Sequence, residues 1–138
     1  MRILEEVVKN TDMGIRAINN IRSYVEDEEL MHTMLCQREE LKRIQTEAES
    51  QLSEEELEEC RSNKFQQMML KAGVKINAVF DKSNTNIAQM MIEGTNMGIN
   101  SVQEEINEMN LKGEEIPPIA TELISLYDKN INELRPFL

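Results

Sequence analysis

His32 is the single imidazole of the chain, and it stands three residues after a carboxylate in Glu29-Leu30-Met31-His32. Residues at i and i+3 share a helix face. Two-metal carboxylate centres in helical bundles take such a Glu-x-x-His pair from each of two helices and one inward Glu from each of the other two. Glu29 and His32 are therefore the metal-ligand candidates, for iron or manganese. Both fall in the first turns of their helix, whereas such a centre sits midway along a bundle. The last helix offers Glu122 and Glu133 but no His, and the corresponding positions of the other two helices are Thr11 and Thr95, with Asp12 and Glu93 off the apolar stripe. An intact two-metal centre is not expected, and His32 reads as an exposed side chain near a helix start.

Other reactive groups are few. Cys36 and Cys60 are 24 residues apart, read as having no second Cys or His close to either, and are expected to be reduced thiols outside any zinc or redox pattern. No Ser-His-acid, Cys-His or glycine-rich phosphate pattern is present, so no catalytic or cofactor-binding residue is assigned and the expectation leans against an enzyme. The run from Glu47 to Glu59 holds seven Glu and no Lys or Arg, which suits a solvated helix end better than a cation site. Where a metal would sit, Thr11, Gln37 or Arg38, Thr95 and Tyr127 fall at similar heights. Two readings of this polar layer stay open: a relic or replacement of a ligand site that fixes helix register, or side chains that merely reach the bundle edge.

The elements that position these residues follow from apolar spacing. Ile3/Leu4, Val7/Val8, Thr11, Gly14/Ile15, Ile18, Ile21 and Val25 step by three and four, predicting a helix over about residues 2–25. Asp27 is a predicted N-cap, and Leu30, Met34, Leu41, Ile44, Ala48 and Leu52 carry the second helix, which the short connection makes an antiparallel neighbour of the first. Ser53-Glu54-Glu55-Glu56 has capping-box spacing and opens a helical crossover over 53–83, whose apolar positions run through Phe65, Met68/Met69, Ile76 and Phe80. A third helix is predicted over about 85–110, a glycine stop at Gly113, and a last helix from Pro117-Pro118 to about Arg135, with Ile119, Leu123, Tyr127, Ile131 and Leu134 as its stripe. The whole chain, 1–138, reads as one all-α domain: hairpin 2–52, crossover 53–83, hairpin 85–135.

Thr11-Asp12-Met13-Gly14-Ile15 recurs 84 residues later as Thr95-Asn96-Met97-Gly98-Ile99, and the same offset pairs Ile3 with Ile87, Val8 with Ile92 and Ile18 with Val102. An internal repeat of one hairpin accounts for this match of buried faces. These segments, together with Glu26-Asp27-Glu28-Glu29-Leu30, Gln37-Arg38-Glu39-Glu40 and Phe80-Asp81-Lys82-Ser83, resemble the ferritin-like superfamily. Within it they resemble a bacterial family of duplicated helical hairpins, a domain of unknown function. The resemblance covers nearly the whole chain. It implies an antiparallel four-helix bundle with a crossover between its second and third helices, and it implies no reaction.

Gly14, Gly94 and Gly98 stand in helix interiors, where each costs about 1 kcal/mol relative to Ala; close helix approach within the core is the expected reason, with dimer contact through that face as the alternative. The ten Met read first as adaptable core filler, with Met13, Met90 and Met97 reaching outer faces where a Met patch would suit a partner. The formal charge of −11 argues against nucleic acid and anionic membranes, and no run approaches the roughly 20 apolar residues of a span. A cytoplasmic location is expected. The functional expectation is a non-catalytic structural or protein-interaction module, a homodimer or the partner of another protein through its helix faces. The alternative is a metal-binding or oxidative-stress protein of the ferritin-like, rubrerythrin-like kind.

Overall fold

The computed structural model describes residues 1–61 and 81–138, so the predicted crossover positions from Phe65 to Phe80 lie outside the described residues. All regular structure among the described residues is helical. Five α-helices follow in order: α1 Arg2–Ile21, α2 Glu28–Ser50, α3 Glu54–Cys60, α4 Asn84–Leu111 and α5 Pro118–Leu134. Short 3-10 turns at Arg22–Tyr24 and Arg135–Phe137 tighten the ends of α1 and α5. The first helix thus stops four residues before the predicted Val25, where the chain turns extended at φ −86° and ψ 120°.

Each helix boundary has a local cause. Asp27 caps α2, its carboxylate accepting the Leu30 N–H at 2.9 Å. That bond, reinforced by the Asn84 side chain, holds the Asp27 carboxyl below its ordinary range despite some opposing burial. A lowered carboxyl stabilises the fold above its unfolded-state value, and the contribution is lost as pH falls through the folded value. Asp27→Asn keeps an acceptor that does not titrate. Its acid-unfolding curve should therefore be shallower than that of the parent below about pH 4, and coincident curves would count against this cap.

Ser53 and Glu56 form the predicted capping box of α3, with both reciprocal bonds at 3.2 Å. Ser83 starts α4 by accepting the Asn86 N–H at 3.2 Å, and Ser83→Ala should lower the unfolding free energy by about 1 kcal/mol in a denaturant titration. At the far end Gly113 adopts φ 69°, which lets the Glu114 N–H reach the Met109 carbonyl at 2.9 Å and the Gly113 N–H reach Asn110 at 3.1 Å. This double bond pattern ends the helix with a residue type suited to left-handed backbone. Pro118 opens α5 at a position that needs no N–H partner.

Helix α1 packs on α2, α4 packs on α5, and the two pairs meet through α1 on α4 and α2 on α5; α1 also touches α3 and α5. The predicted stripes supply the core. Ile3, Val7, Leu30, Met34, Ile44, Ile87, Val102, Ile119, Leu123 and Leu134 are fully buried. Burying each of the larger aliphatic side chains stabilises the fold by about 1.5–3 kcal/mol. Ion pairs Arg2–Glu105 at 3.0 Å and Arg43–Glu122 at 2.6 Å bridge α1 to α4 and α2 to α5, but both are solvent-exposed enough to add little.

The middle of α4 departs from expectation. From Gln89 to Met97 no residue is buried, and Met91, Ile92 and Thr95 are half-exposed where the stripe predicts core. Among the described elements α4 has fewer helical neighbours than α1, which explains why Val7, Val8 and Thr11 are buried and their repeat counterparts are not. Close approach holds at Gly14, where a Cβ would lie 2.9 Å from Leu41 Cδ1, and at Gly98, where it would lie 2.7 Å from Asn10 Oδ1. It does not hold at Gly94, where a Cβ would meet no atom of the described residues within 4 Å.

Candidate functional site

Pairwise contacts link α1, α2, α4 and α5 through the interior, spread over more than one helical turn. Gly14 meets Leu41 between α1 and α2, Gln37 Nε2 donates to the Asn130 carbonyl at 3.3 Å between α2 and α5, and Gly98 of α4 meets both the Tyr127 ring and Asn10 of α1. The buried polar residues of the described chain are Asn10, Thr11, Gln37 and Asn130. Tyr127 is buried with them, while Thr95 is half-exposed. The structure therefore brings Thr11, Gln37 and Tyr127 into the interior and leaves Thr95 at its edge. Arg38, the alternative to Gln37, is also at the edge, where its Nη1 donates to Asn19 Oδ1 at 2.8 Å.

These polar groups are largely committed to the fold. The Thr11 hydroxyl donates to the Val7 carbonyl at 2.9 Å and lies 3.0 Å from that of Val8. Thr95, 84 residues later, makes the matching bond to Met91 at 2.7 Å. Asn10 Nδ2 donates to the Glu6 carboxylate at 2.9 Å and to the Glu6 carbonyl at 3.2 Å. Burial pushes the Tyr127 phenol well above its ordinary value, and the Glu6 carboxylate pushes in the same direction, so it is neutral through the physiological range.

The donor set does not fit a two-metal centre. Such a centre needs several carboxylates and imidazoles converging midway along the helices. What stands there are hydroxyls, amides and a neutral phenol, with one nearby carboxylate, Glu6, already bonded to Asn10. Glu29 and His32 lie exposed in the first turns of α2, on an open depression of about 580 Å³ shared with Glu133 of α5 and the Pro136-Phe137 turn. Among the described residues no three His, Cys, Asp or Glu side chains are grouped to hold a metal ion. Residues 62–80 contain none of these four types.

One reading of the thiols needs correction. Cys36 does have a His beside it: His32 is one helical turn earlier, and its Nε2 lies 3.6 Å from Cys36 Sγ, both side chains exposed. The spacing was legible, since residues at i and i+4 of a helix face the same way. Cys60 is different. It is buried, and burial together with Glu5, Glu49, Glu56 and Glu59 pushes its thiol up, away from the nucleophilic thiolate.

Asn10 and Asn130 are the interior polar residues that reading by residue type passes over. The position of each was signalled by period: Asn10 lies between Val7 and Gly14, and Asn130 between Leu123 and Leu134, on the buried face of its helix. Comparison with protein-family models, with curated proteins and with solved structures finds no match to this chain. No helix of the described residues is long and apolar enough to cross a membrane.

Proposed function

We propose that this chain is an antiparallel four-helix bundle of ferritin-like layout, made of two duplicated hairpins, that serves as a non-catalytic association module. The layout is supported by the ring of contacts α1–α2–α5–α4 and by the order hairpin, long connection, hairpin. Duplication is supported by the matched roles of repeat-related residues: Thr11 and Thr95 bond the carbonyl one turn back, and Gly14 and Gly98 admit a neighbouring helix.

The observation that carries the functional reading is the side-chain content of the polar interior. Hydroxyl, amide and phenol groups bonded within and between helices fix register, and they offer none of the charged ligands or paired acid and base that redox or hydrolytic chemistry requires. Association falls to the outer face of α4. There Met97 is 68% exposed, Gly94 is exposed, and Met90 is half-exposed. Met side chains adapt to varied apolar surfaces.

Sedimentation of the full chain in the presence of a chelator tests this reading. The expected result is a mass that rises with concentration and that Met97→Asp returns to the monomer without loss of helicity. A monomer at every concentration, or a Met97→Asp variant that associates like the parent, would contradict self-association through α4.

A further inference from the structure

The geometry points to a second, separate site: His32 and Cys36 form a two-point chelate for a zinc-class cation on the outside of α2, completed by the same pair from a second copy of the chain. In a tetrahedral zinc site with Zn–S near 2.3 Å and Zn–N near 2.0 Å, the sulfur and nitrogen of adjacent ligands stand about 3.5 Å apart. Cys36 Sγ and His32 Nε2 stand 3.6 Å apart, so a cation can bridge them with little side-chain movement. Both groups sit one turn apart within the 23-residue helix α2, which holds that spacing fixed, and both are exposed to an incoming ion.

The ligand chemistry sets the class of cation. A thiolate with an imidazole favours zinc and its neighbours over magnesium or calcium, which prefer oxygen ligands. Binding forms one metal–sulfur and one metal–nitrogen bond per chain, and the proton leaving Cys36 passes to solvent. Glu133 of α5 lines the depressions on both sides of the pair, and with Glu29 and Glu40 it surrounds the site with negative charge; Lys129 is the opposing cation nearby. Two of four tetrahedral positions remain for ligands from elsewhere, because no third metal-binding side chain of the described chain joins the pair. A two-fold contact brings an identical exposed pair to the same ion and yields a closed Cys2His2 set.

Cobalt titration of the reduced, metal-free full chain tests the site, followed by zinc under the same conditions. The expected result is a thiolate-to-cobalt charge-transfer band that saturates at one cobalt per two chains, with doubling of the sedimenting mass of the monomeric Met97→Asp variant by either metal. Cys36→Ser should abolish band and doubling, Cys60→Ser should leave both, and His32→Ala should weaken binding roughly tenfold or more. These side chains are exposed, and circular dichroism confirms that the variants remain folded. Absence of the band, or a band removed by Cys60→Ser and kept by Cys36→Ser, would overturn the chelate. Saturation at one cobalt per chain without a change in mass would overturn its completion by a second copy. Association through α4 is measured in chelator, so either site can fail without the other.

Discussion

Tyr127→Ala is expected to lower the unfolding free energy by about 3–5 kcal/mol, the largest single effect in the interior. The ring is buried against Gly98, and removing it leaves a cavity where α5 meets α4 beside Asn10 of α1. Gly98 has no side chain to fill that space, and Asn10 is tied back to Glu6, so relaxation into the void is limited. Tyr127→Phe separates ring from hydroxyl and should lose far less, which a pair of denaturant titrations will show.

The same residue predicts the alkaline limb of stability. The folded phenol is raised, so its neutral form stabilises the native state fully below the unfolded tyrosine value near 10, and this is lost as pH climbs toward the folded value. Tyr127→Phe should therefore flatten the fall in stability above about pH 10. In a Tyr24→Phe background the absorbance change of phenol ionisation should coincide with unfolding; free titration of a folded protein near pH 10 would show that the ring is not sealed.

Gly98 carries the second large effect. Gly94 and Gly98 lie one turn apart in α4, so Ala gains the same helix propensity at either position, about 1 kcal/mol. At Gly94 the new methyl meets open space, and the variant should be more stable by close to that amount. At Gly98 it would stand 2.7 Å from Asn10 Oδ1 and 3.0 Å from Tyr127 Cε2. Both neighbours are constrained, so overpacking should outweigh the propensity gain, and Gly98→Leu should cost about 3 kcal/mol. Thermal unfolding of the two Ala variants side by side isolates the packing term. Equal stabilisation at both glycines would mean that α4 is not held against Asn10 and Tyr127.

The contrast between these glycines shows what sequence can reveal here. Capping chemistry acts within a few residues, and so Asp27, Ser53 and Gly113 announce their helix ends in one dimension. Stripes at three and four mark a buried face but not how many neighbours cover it. Ile92 and Thr95 repeat the pattern of Val8 and Thr11, yet only the α1 pair is enclosed, because among the described elements α1 meets more helices. Gly94 has a glycine's cost without a helix against it, a fact set wholly by tertiary contacts.

Within the candidate site, the burial of Thr11, Gln37 and Tyr127 follows from their places on the apolar stripes, but the hydrogen bonds Asp12–Gln45 and Asn19–Arg38 set Thr11 and Gln37 at different heights. Asn10 and Asn130 have equally periodic positions, and their partners explain why a polar type is tolerated there: Asn10 bonds Glu6, and Asn130 offers its backbone carbonyl to Gln37. The His32–Cys36 pair, a plain i, i+4 neighbourhood on a helix whose start was correctly placed, was open to the same kind of reading and was passed over. Its distance from the bundle centre separates it from the ligand pattern that Glu29 and His32 first suggest.

Iron and manganese loading of the Cys36→Ser variant tests most directly whether helix packing alone holds the interior. The variant removes the surface thiol, and metal bound per chain is then counted after gel filtration alongside the unfolding midpoint with and without added ion. Well under one ion retained per chain and an unchanged midpoint are expected. Two ions per chain with a raised midpoint would contradict it.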